Sequence, residues 1–578
     1  MPQPAQTVLP RTLQEAYRRE LAALQASKAV ARVWSRDAAL WPRPADPKKS
    51  AELTLNWLDL PAQMSEYMRR VAKCAEVLDS GRFDALVLVA MGASNLAAHA
   101  VAELSAAKRV KRFLVLDSTD PAAILRIEQE VDLRRAFFVI ANKTGKLIEL
   151  HALLLYLLDR LRVLGVAKPG QQFIALTDEN SYLAEMGKGY RFHDVFFDPP
   201  GISGRYSSPI HFDLLLSAIG GVEIAQLEAR ARAVREACGA AIAPETNPAA
   251  QLGAFLAAAA QSPSSRLFLS APSESGAFLR CVAYVVGTST GKERQGVVPL
   301  FADLGERDDF PFGDAAAVIF SLRGEAEPSF ERARALAAKH NLPSVEIKLD
   351  GVESFGAELL KWNLATVLAC SLLEVNPFDE PDVFRGRQSA QHLLENLASQ
   401  ESVRFPTVRV SEGGIELRAE SNTRQQISTL SLAEALRTFL DLRSSKGYIA
   451  LLGFLDTSDE VWASLQCLRK QLEAQTGIPV QPAFGPRYLH YLGQTLKGGP
   501  PNGLFVILTA AAERDVAVPG AGYTFGQMQR ALALGDFEAL YRNGERVIWL
   551  DFGQGLSAGL PQLEQSLAAS LAHLRNTA

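Results

Sequence analysis

The loop at residues 142–146 combines the residue types that bind an oxyanion. It lies between an apolar strand pattern and a helix pattern, and it consists of Asn142, Lys143, Thr144, Gly145 and Lys146. Ammonium groups form charge-assisted hydrogen bonds with phosphate, and the free N–H groups at a helix N-terminus add further donors. The loop therefore predicts a phosphate site, although lysines that only face solvent on a structural loop are the alternative interpretation.

Further polar residues that can face a ligand are spread along the chain. Gly92 and Ser94 lie in a small-residue turn before a helix pattern, where free N–H groups can receive an anion. Arg205 offers a planar guanidinium to a sugar oxygen or a phosphate, and a salt bridge that closes its own turn is the alternative. Arg487 and His490 lie in a connection rich in Arg, Gln, Lys and Gly, which favours a polar ligand. For His490, the alternative is a bond to a buried carbonyl.

The apolar pattern predicts the elements that must position these loops. From residue 83 onward, short β-branched runs alternate with longer helical patterns. The predicted strands are residues 85–90, 113–116, 136–141, 173–176, 195–197, 267–270, 317–322, 345–349, 448–454, 503–508 and 547–551. Such alternation predicts parallel sheets with crossover helices, in which ligands bind at the carboxyl ends of the strands.

Breaks in this alternation divide the chain into four predicted parts. Residues 1–80 are helical and charged, and we expect them to form an adapter packed on the body. An Ala- and Pro-rich break separates two α/β domains, which are predicted at residues 81–245 and 246–401. A third α/β domain is predicted at residues 402–578.

The composition limits the classes of partner. The chain has 578 residues, 48% of them hydrophobic, which is ample for ordinary cores. Its 60 Lys and Arg against 64 Asp and Glu give a formal net charge of −4, so no overall basic field indicates nucleic-acid binding. The N-terminus lacks the order of a secretion signal, and no apolar run is long enough to cross a bilayer. We therefore expect a cytoplasmic protein that binds neither nucleic acid nor a membrane.

Several segments resemble motifs of the glucose-6-phosphate isomerase family. Residues 376–387, NPFDEPDVFRGR, resemble N-x-F-D-Q-x-x-V-x-x-x-K, with Arg387 at the lysine position. Residues 142–149, NKTGKLIE, resemble S-K-S-G-T-T-x-E. Residues 203–207, SGRYS, resemble G-G-R-[YF]-S, and residues 289–293, STGKE, resemble the start of S-[TN]-G-K-E-G-K-G. The chain is similar to this family along most of its length.

The likeness is strongest to one branch of the family. From about residue 28 to residue 553, the chain resembles the isomerase half of fused transaldolase/glucose-6-phosphate isomerases. This implies two tandem sugar-isomerase domains with Rossmann-like or flavodoxin-like parallel sheets, followed by a C-terminal α/β domain. It also implies interconversion of glucose 6-phosphate and fructose 6-phosphate through an enediol, without a metal or a cofactor.

The resemblance also implies roles for particular residues. One carboxylate must move a proton between C1 and C2, and Asp303, at the family's glutamate position, and Glu306 are the two candidates. Arg387 would stabilise an oxyanion. His490 and His392 are the two candidates for the imidazole that opens the sugar ring.

Departures from the family motifs leave a second interpretation open. Asn142, Lys146 and Leu147 replace hydroxyl residues, Asp303 replaces a glutamate and Arg387 replaces a lysine. A sugar-phosphate-binding regulatory protein that no longer isomerises is therefore the alternative, and a scaffold is a third interpretation. The resemblance further implies a homodimer, and a separately encoded transaldolase is a candidate partner.

Overall fold

The computed structural model is an α/β protein with three sheets, which confirms the fold class predicted from the sequence. The residues that it describes are 6–43, 54–59, 68–70, 76–78, 80–103, 110–271, 276–302, 304, 311–322, 327–399, 404–420, 427 and 431–572. Both candidate proton-transfer acids, Asp303 and Glu306, lie outside these residues. None of the described helices is long and apolar enough to cross a bilayer.

The N-terminal segment begins with a strand. β1 (Gln6–Val8) precedes helices α1 (Arg11–Ala26) and α2 (Ala29–Trp34). β1 pairs antiparallel with the edge of the second sheet, where Gln6 lies opposite Glu346. The sequence predicts only helices in this region, because three residues are too few to display the periodicity of a strand.

The first sheet has five parallel strands in the order β3-β2-β4-β5-β6, and with its helices it forms the first unit. Its strands are β2 (Ala85–Ala90), β3 (Arg112–Leu116), β4 (Ala136–Ala141), β5 (Phe173–Thr177) and β6 (Asp194–Phe197), and its helices are α3 (Ala93–Glu103), α4 (Pro121–Glu130), α5 (Ile148–Val163) and α6 (Tyr182–Gly189). The central strands are buried along their whole length. This explains why they are apolar throughout and do not alternate with polar residues.

The second sheet has the order β1-β10-β9-β7-β8, in which only β1 is antiparallel. Its other strands are β7 (Arg266–Ser270), β8 (Val298–Phe301), β9 (Ala316–Leu322) and β10 (Ser344–Leu349). The helices of this second unit and of the connection that leads to it are α7 (Ser208–Ala218), α8 (Ile224–Ala237), α9 (Pro248–Ala260), α10 (Gly276–Thr290), α11 (Glu327–Lys339), α12 (Phe355–Leu372) and α13 (Pro381–Ala398).

The third unit is built on a six-stranded sheet in the order β11-β12-β16-β15-β13-β14. Its strands are β11 (Val408–Glu412), β12 (Ile415–Arg418), β13 (Tyr448–Phe454), β14 (Val480–Phe484), β15 (Gly503–Thr509) and β16 (Arg546–Asp551), and its helices are α14 (Leu432–Leu440), α15 (Asp459–Thr476), α16 (Gly493–Gly498), α17 (Phe525–Arg542) and α18 (Leu556–Ala572). Four strands are parallel, and an antiparallel hairpin of β11 and β12 extends the β16 edge.

Short 3₁₀ turns connect some of these elements. They lie at Ala38–Leu40, Asn56–Asp59, Leu133–Arg135, Pro169–Gln172, Gly204–Ser207, Val352–Ser354 and Arg487–His490. The domain boundaries predicted from the sequence remain predictions.

Helix α13 lies close to helix α17 because two glycines face each other there. A Cβ added at Gly535 would lie 2.6 Å from the carbonyl oxygen of Gly386 and 2.9 Å from the backbone nitrogen of Ala390. A real Cβ does not come this close to backbone atoms, so the spacing of the two helices requires glycine at position 535. The contact holds Arg387, the residue after Gly386, against the third unit.

Candidate functional site

His490 lies where the three units meet. Its Nδ1 is 2.9 Å from Nη2 of Arg387, which belongs to α13, and its Nε2 is 3.3 Å from Oε1 of Glu149, which belongs to the first turn of α5. An arginine can only donate, so Nδ1 is the acceptor and the ring proton is on Nε2, where it is donated to the carboxylate. The geometry thus fixes a neutral imidazole between a guanidinium and a carboxylate.

Burial and charge explain the protonation of this trio. The imidazole of His490 is 5% exposed and Glu149 is 2% exposed. Burial, and then the positive charge of Arg387, lower the pKa of His490. Burial alone would raise the pKa of Glu149, but the hydrogen bond from His490 and the nearby positive charge outweigh it and lower that pKa. The stable arrangement at neutral pH is therefore a carboxylate, a neutral imidazole and a guanidinium in a row.

Arg205 does not face an open cleft. It is fully buried, and its Nη1 donates to the carbonyl oxygens of Thr288 at 3.1 Å and Pro377 at 2.8 Å. Its Nη2 donates to the carbonyl oxygen of Asp379 at 2.9 Å and to Oε1 of Glu380 at 2.8 Å. Arg205 thus forms a salt bridge, as in the alternative interpretation, but the turn that it holds is the one at residues 377–380 and not its own. The expectation that its guanidinium polarises sugar oxygens needs this correction, because the guanidinium has no exposed surface.

A second buried cation holds the same turn. Lys292, from the STGKE segment, is 3% exposed; its Nζ donates to the carbonyl oxygen of Asn376 and lies 3.2 Å from a carboxylate oxygen of Asp379. Burial, together with the charge of Arg205, lowers the pKa of Lys292 to about 8. The turn at residues 376–380 leads directly into α13. Lys292 and Arg205 therefore fix the point from which Arg387 is presented.

The predicted phosphate loop lies before α5, but its first lysine is already paired. The ammonium group of Lys143 is bonded to Asp178 and lies 3.7 Å from Oδ2 of Asp198, and its side chain is 17% exposed. Both acids follow neighbouring strands of the first sheet, β5 and β6. Their charges reduce what Lys143 can offer to an anion, a cost that the sequence could not show because the three residues are far apart in the chain.

The rest of this loop has two buried and two exposed residues. Asn142 Oδ1 accepts a hydrogen bond from the backbone N–H of Gly145 at 3.0 Å, so this side chain shapes the loop. Gly145 has a φ of +67°, and a Cβ there would lie 2.4 Å from the backbone nitrogen of Leu183, so only glycine fits. Thr144 and Lys146 are exposed at the N-terminal end of α5. These two residues remain the candidate phosphate contacts.

The small-residue turn after β2 packs on side chains of other elements. Gly92 has a φ of +82°, and a Cβ there would lie 3.6 Å from the hydroxyl of Tyr284. Ser94 Oγ is 3.2 Å from Nδ1 of His211, an atom that Ser207 Oγ also approaches to 3.2 Å. The hydroxyl of Ser94 thus faces a buried imidazole, while Gly92 leaves space beside Tyr284.

His392 and Arg487, the two remaining candidate site residues, lie in different surroundings. The side chain of His392 is 74% exposed, and its Nδ1 lies 3.9 Å from Glu395, so it does not approach the trio. Arg487 Nε lies 2.9 Å from Oδ2 of Asp117 at the end of β3. The atoms do not meet hydrogen-bond geometry, so we describe this contact as an ion pair.

Sequence reasoning gave no role to Glu149, Glu380 or Asp117. Glu149 is the final glutamate of the NKTGKLIE segment, so a match to the end of that motif could have identified it. Glu380 replaces the glutamine of the family motif and pairs with Arg205. For Asp117 the sequence offers no motif. Within the described residues, no group of three or more His, Cys, Asp or Glu side chains is arranged to hold a metal ion.

Comparisons with known proteins agree with this architecture. No protein-family model matches the chain. The chain is 23% identical over 364 residues to a Haloquadratum walsbyi protein named "Probable glucose-6-phosphate isomerase", covering 56% of this chain and 84% of that protein. A Halobacterium salinarum protein of the same name is 25% identical over 316 residues, covering 48% of this chain and 72% of that protein. The crystal structure of a hypothetical protein from Thermus thermophilus has the same fold, with a TM-score of 0.57 at 20% identity, covering 67% of this chain and 100% of that chain.

Proposed function

We propose that this chain is a sugar-phosphate isomerase of the glucose-6-phosphate isomerase family, and that it interconverts glucose 6-phosphate and fructose 6-phosphate through an enediol. Its similarity to two proteins with that name supports the proposal. The observation that carries the proposal is the buried row of Glu149, His490 and Arg387. In this row, Glu149 and Arg387, which each end a segment that resembles a family motif, contact a histidine from the third unit.

The imidazole of His490 has the groups that ring opening needs. Opening a cyclic sugar requires a base for the proton of the C1 hydroxyl and an acid that protonates the ring oxygen. Nδ1 of His490 is an acceptor, so it would take the proton of the C1 hydroxyl and then give the same proton to the ring oxygen as the C1–O bond to that oxygen breaks. Glu149 supports the ring from the opposite side. A substrate oxygen has to share or replace the contact of Arg387 at Nδ1, so we expect Arg387 to move when substrate binds.

Arg387 has a donor available for a developing negative charge. Its Nε is buried and has no hydrogen-bond acceptor among the described residues. A buried N–H without a partner is costly, and an oxyanion on a bound sugar would supply the missing acceptor. Arginine stays protonated at any working pH, so Arg387 contributes charge and cannot exchange a proton.

The remaining roles in the proposal follow from position. Thr144, Lys146 and the free N–H groups at the start of α5 would bind the phosphate, at the same helix end as Glu149. Asp303 or Glu306 would move the proton between C1 and C2. No metal or cofactor is needed for this scheme.

A matched pair of histidine variants tests the proposal. In a coupled assay with both hexose phosphates, His490→Gln should lower kcat about 10²- to 10⁴-fold, the usual contribution of one acid–base group. His392→Gln replaces an exposed histidine on the same helix as Arg387 and should keep full activity. Equal activity of His490→Gln and wild type would exclude His490 from the chemistry.

A binding protein without turnover is the second candidate. It is favoured by the pairing of Lys143 with two carboxylates and by arginine at position 387. Titration calorimetry with both hexose phosphates separates the two functions, since a regulatory protein would bind without catalysing interconversion. The cytoplasmic location, the homodimer, the scaffold role and a transaldolase partner remain predictions.

A further inference from the structure

We propose that the third unit supplies His490 to the site of its own chain, and that Asp117 of the first unit is the positioning residue that holds it there. This inference rests on the proposed function, because it explains how the site acquires its histidine. One chain would then contain a complete site, without a contribution from a second copy.

Side chains of the first unit hold the carboxylate of Asp117, independently of its contact with the third unit. It follows β3 directly and is 3% exposed. Its Oδ2 accepts from Nδ2 of Asn95 at 2.8 Å and is 2.9 Å from Nε2 of His99. Both of these residues belong to α3, so the carboxylate is fixed from within the first unit.

The same carboxylate oxygen faces the segment that carries His490. Nε of Arg487 lies 2.9 Å from Oδ2 of Asp117, and Arg487 and His490 are the first and last residues of one 3₁₀ turn. Burial alone would raise the pKa of Asp117, but the charge of Arg487 and the contact with His99 hold it well below its usual range. Asp117 is therefore an anion at neutral pH, and it attracts the start of the turn whose end reaches Glu149.

Other contacts dock the third unit around the same point. Thr119 lies two residues after Asp117 in the chain, and its hydroxyl donates to Oε1 of Gln529 at 2.6 Å. On the other side, Oε1 of Gln494 accepts from the backbone N–H of Asp382 at 3.1 Å, at the start of the helix that carries Arg387. The third unit is thus attached to both neighbouring units of its own chain.

If the contact between Asp117 and Arg487 positions His490, its loss should have a particular effect on the kinetics. Arg487→Gln keeps Asn95 and His99 on Asp117 and removes only the ion pair with the His490 turn. Because a misplacement of about 1 Å can cost about 10²-fold in rate, we expect kcat to fall 10- to 100-fold while KM changes less than about threefold. Asp117→Asn should have the same effect, and combining the two variants should add little. Asp84→Asn, which removes an exposed ion-paired acid at the opposite end of β2, should leave kcat unchanged.

Mixing two inactive variants tests whether the Glu149 and the His490 of one site come from the same chain or from two chains. Glu149→Gln and His490→Gln proteins, co-expressed so that hybrids can form, should show no more activity than either alone. If His490 acted across a dimer, random pairing would restore about a quarter of wild-type activity. Such restoration would overturn the proposal, as would unchanged kcat in both Arg487→Gln and Asp117→Asn.

A measurement that does not need turnover keeps this inference separate from the proposed function. In full-length protein with ¹⁵N-labelled histidine, Glu149→Gln and Arg487→Gln should each shift the imidazole nitrogen resonances of His490. The Asp84→Asn spectrum should match wild type. If the two variants show these shifts but the wild-type protein has no isomerase activity, the proposed function fails and the placement of His490 stands. If neither variant shifts the His490 resonances, the placement fails.

Discussion

Replacing Arg205 with methionine tests whether this residue closes a turn or contacts a ligand. Methionine is of similar length but has no charge and no N–H group. In the folded chain, three carbonyl oxygens and one carboxylate accept from Arg205 at 2.8 to 3.1 Å. Arg205→Met would remove these four hydrogen bonds in a place that water reaches poorly, and only the carbonyl oxygen of Pro377 is known to keep another donor, the hydroxyl of Tyr206. We expect a loss of stability before any loss of chemistry.

The magnitude follows from the number and kind of lost contacts. Each buried acceptor left without a donor costs about 1–3 kcal/mol, and breaking a buried ion pair on one side costs about 3–5 kcal/mol. Glu380 is 26% exposed, so water can relieve part of its loss. The costs are not additive, and we therefore expect Arg205→Met to lower the free energy of unfolding by about 3–5 kcal/mol.

Urea unfolding followed by tryptophan fluorescence measures this loss. Arg134→Met is the control, because Arg134 is 60% exposed and, within the part of the chain that the structure describes, pairs with Asp132 alone, so the variant should change the midpoint little. Adding Glu380→Gln to Arg205→Met should cost less than the two single losses together, since the pair is already broken. An unchanged unfolding midpoint with a raised KM would refute the structural role and return Arg205 to the ligand.

Three further predictions concern other parts of the chain. Gly535→Ala should destabilise the protein by about 1–3 kcal/mol and lower kcat, since its Cβ would meet the backbone of α13; Gly189→Ala, with open space around it, is the control in a thermal melt. Lys146→Ala should weaken hexose-phosphate binding by about 1–3 kcal/mol in a calorimetric titration, and unchanged affinity would remove this loop from the site. Burial raises the pKa of Glu545 to about 7, so its stabilising contribution is lost as the pH rises from 4.5 through 7. Glu545→Gln should therefore raise the urea midpoint at pH 8 and leave it unchanged at pH 4.

The sequence was sufficient for the parallel sheets because those strands are buried runs of apolar residues. It was not sufficient for strands such as Val298–Phe301, which is four residues long, or Val480–Phe484, which contains a glutamine and a proline. The glutamine, Gln481, is 5% exposed and accepts a hydrogen bond from the backbone N–H of Phe301, so its polarity is satisfied by another unit. Such a partner cannot be identified from a local pattern.

The candidate site was predictable from the sequence only in part. A histidine in a polar connection suggested His490 as a site residue, and the structure brings it to Arg387, which is 103 positions away in the chain. Arginine has several uses, and its type alone did not decide between ligand binding and turn closure at position 205. The pairing of Lys143 with Asp178 and Asp198 depends on strand order, which sets which loops are neighbours.

Position 387 determines which chemistry the site can perform. A guanidinium has five N–H donors, so Arg387 can donate to Nδ1 of His490 and still keep its unpaired Nε for a ligand oxygen. A lysine has a single ammonium group and would have to divide it between these two tasks. Arginine cannot release a proton at neutral pH, whereas a lysine in a buried site can. Any proton transfer in this site must therefore use a group other than Arg387, and its pH dependence must follow that group and not position 387.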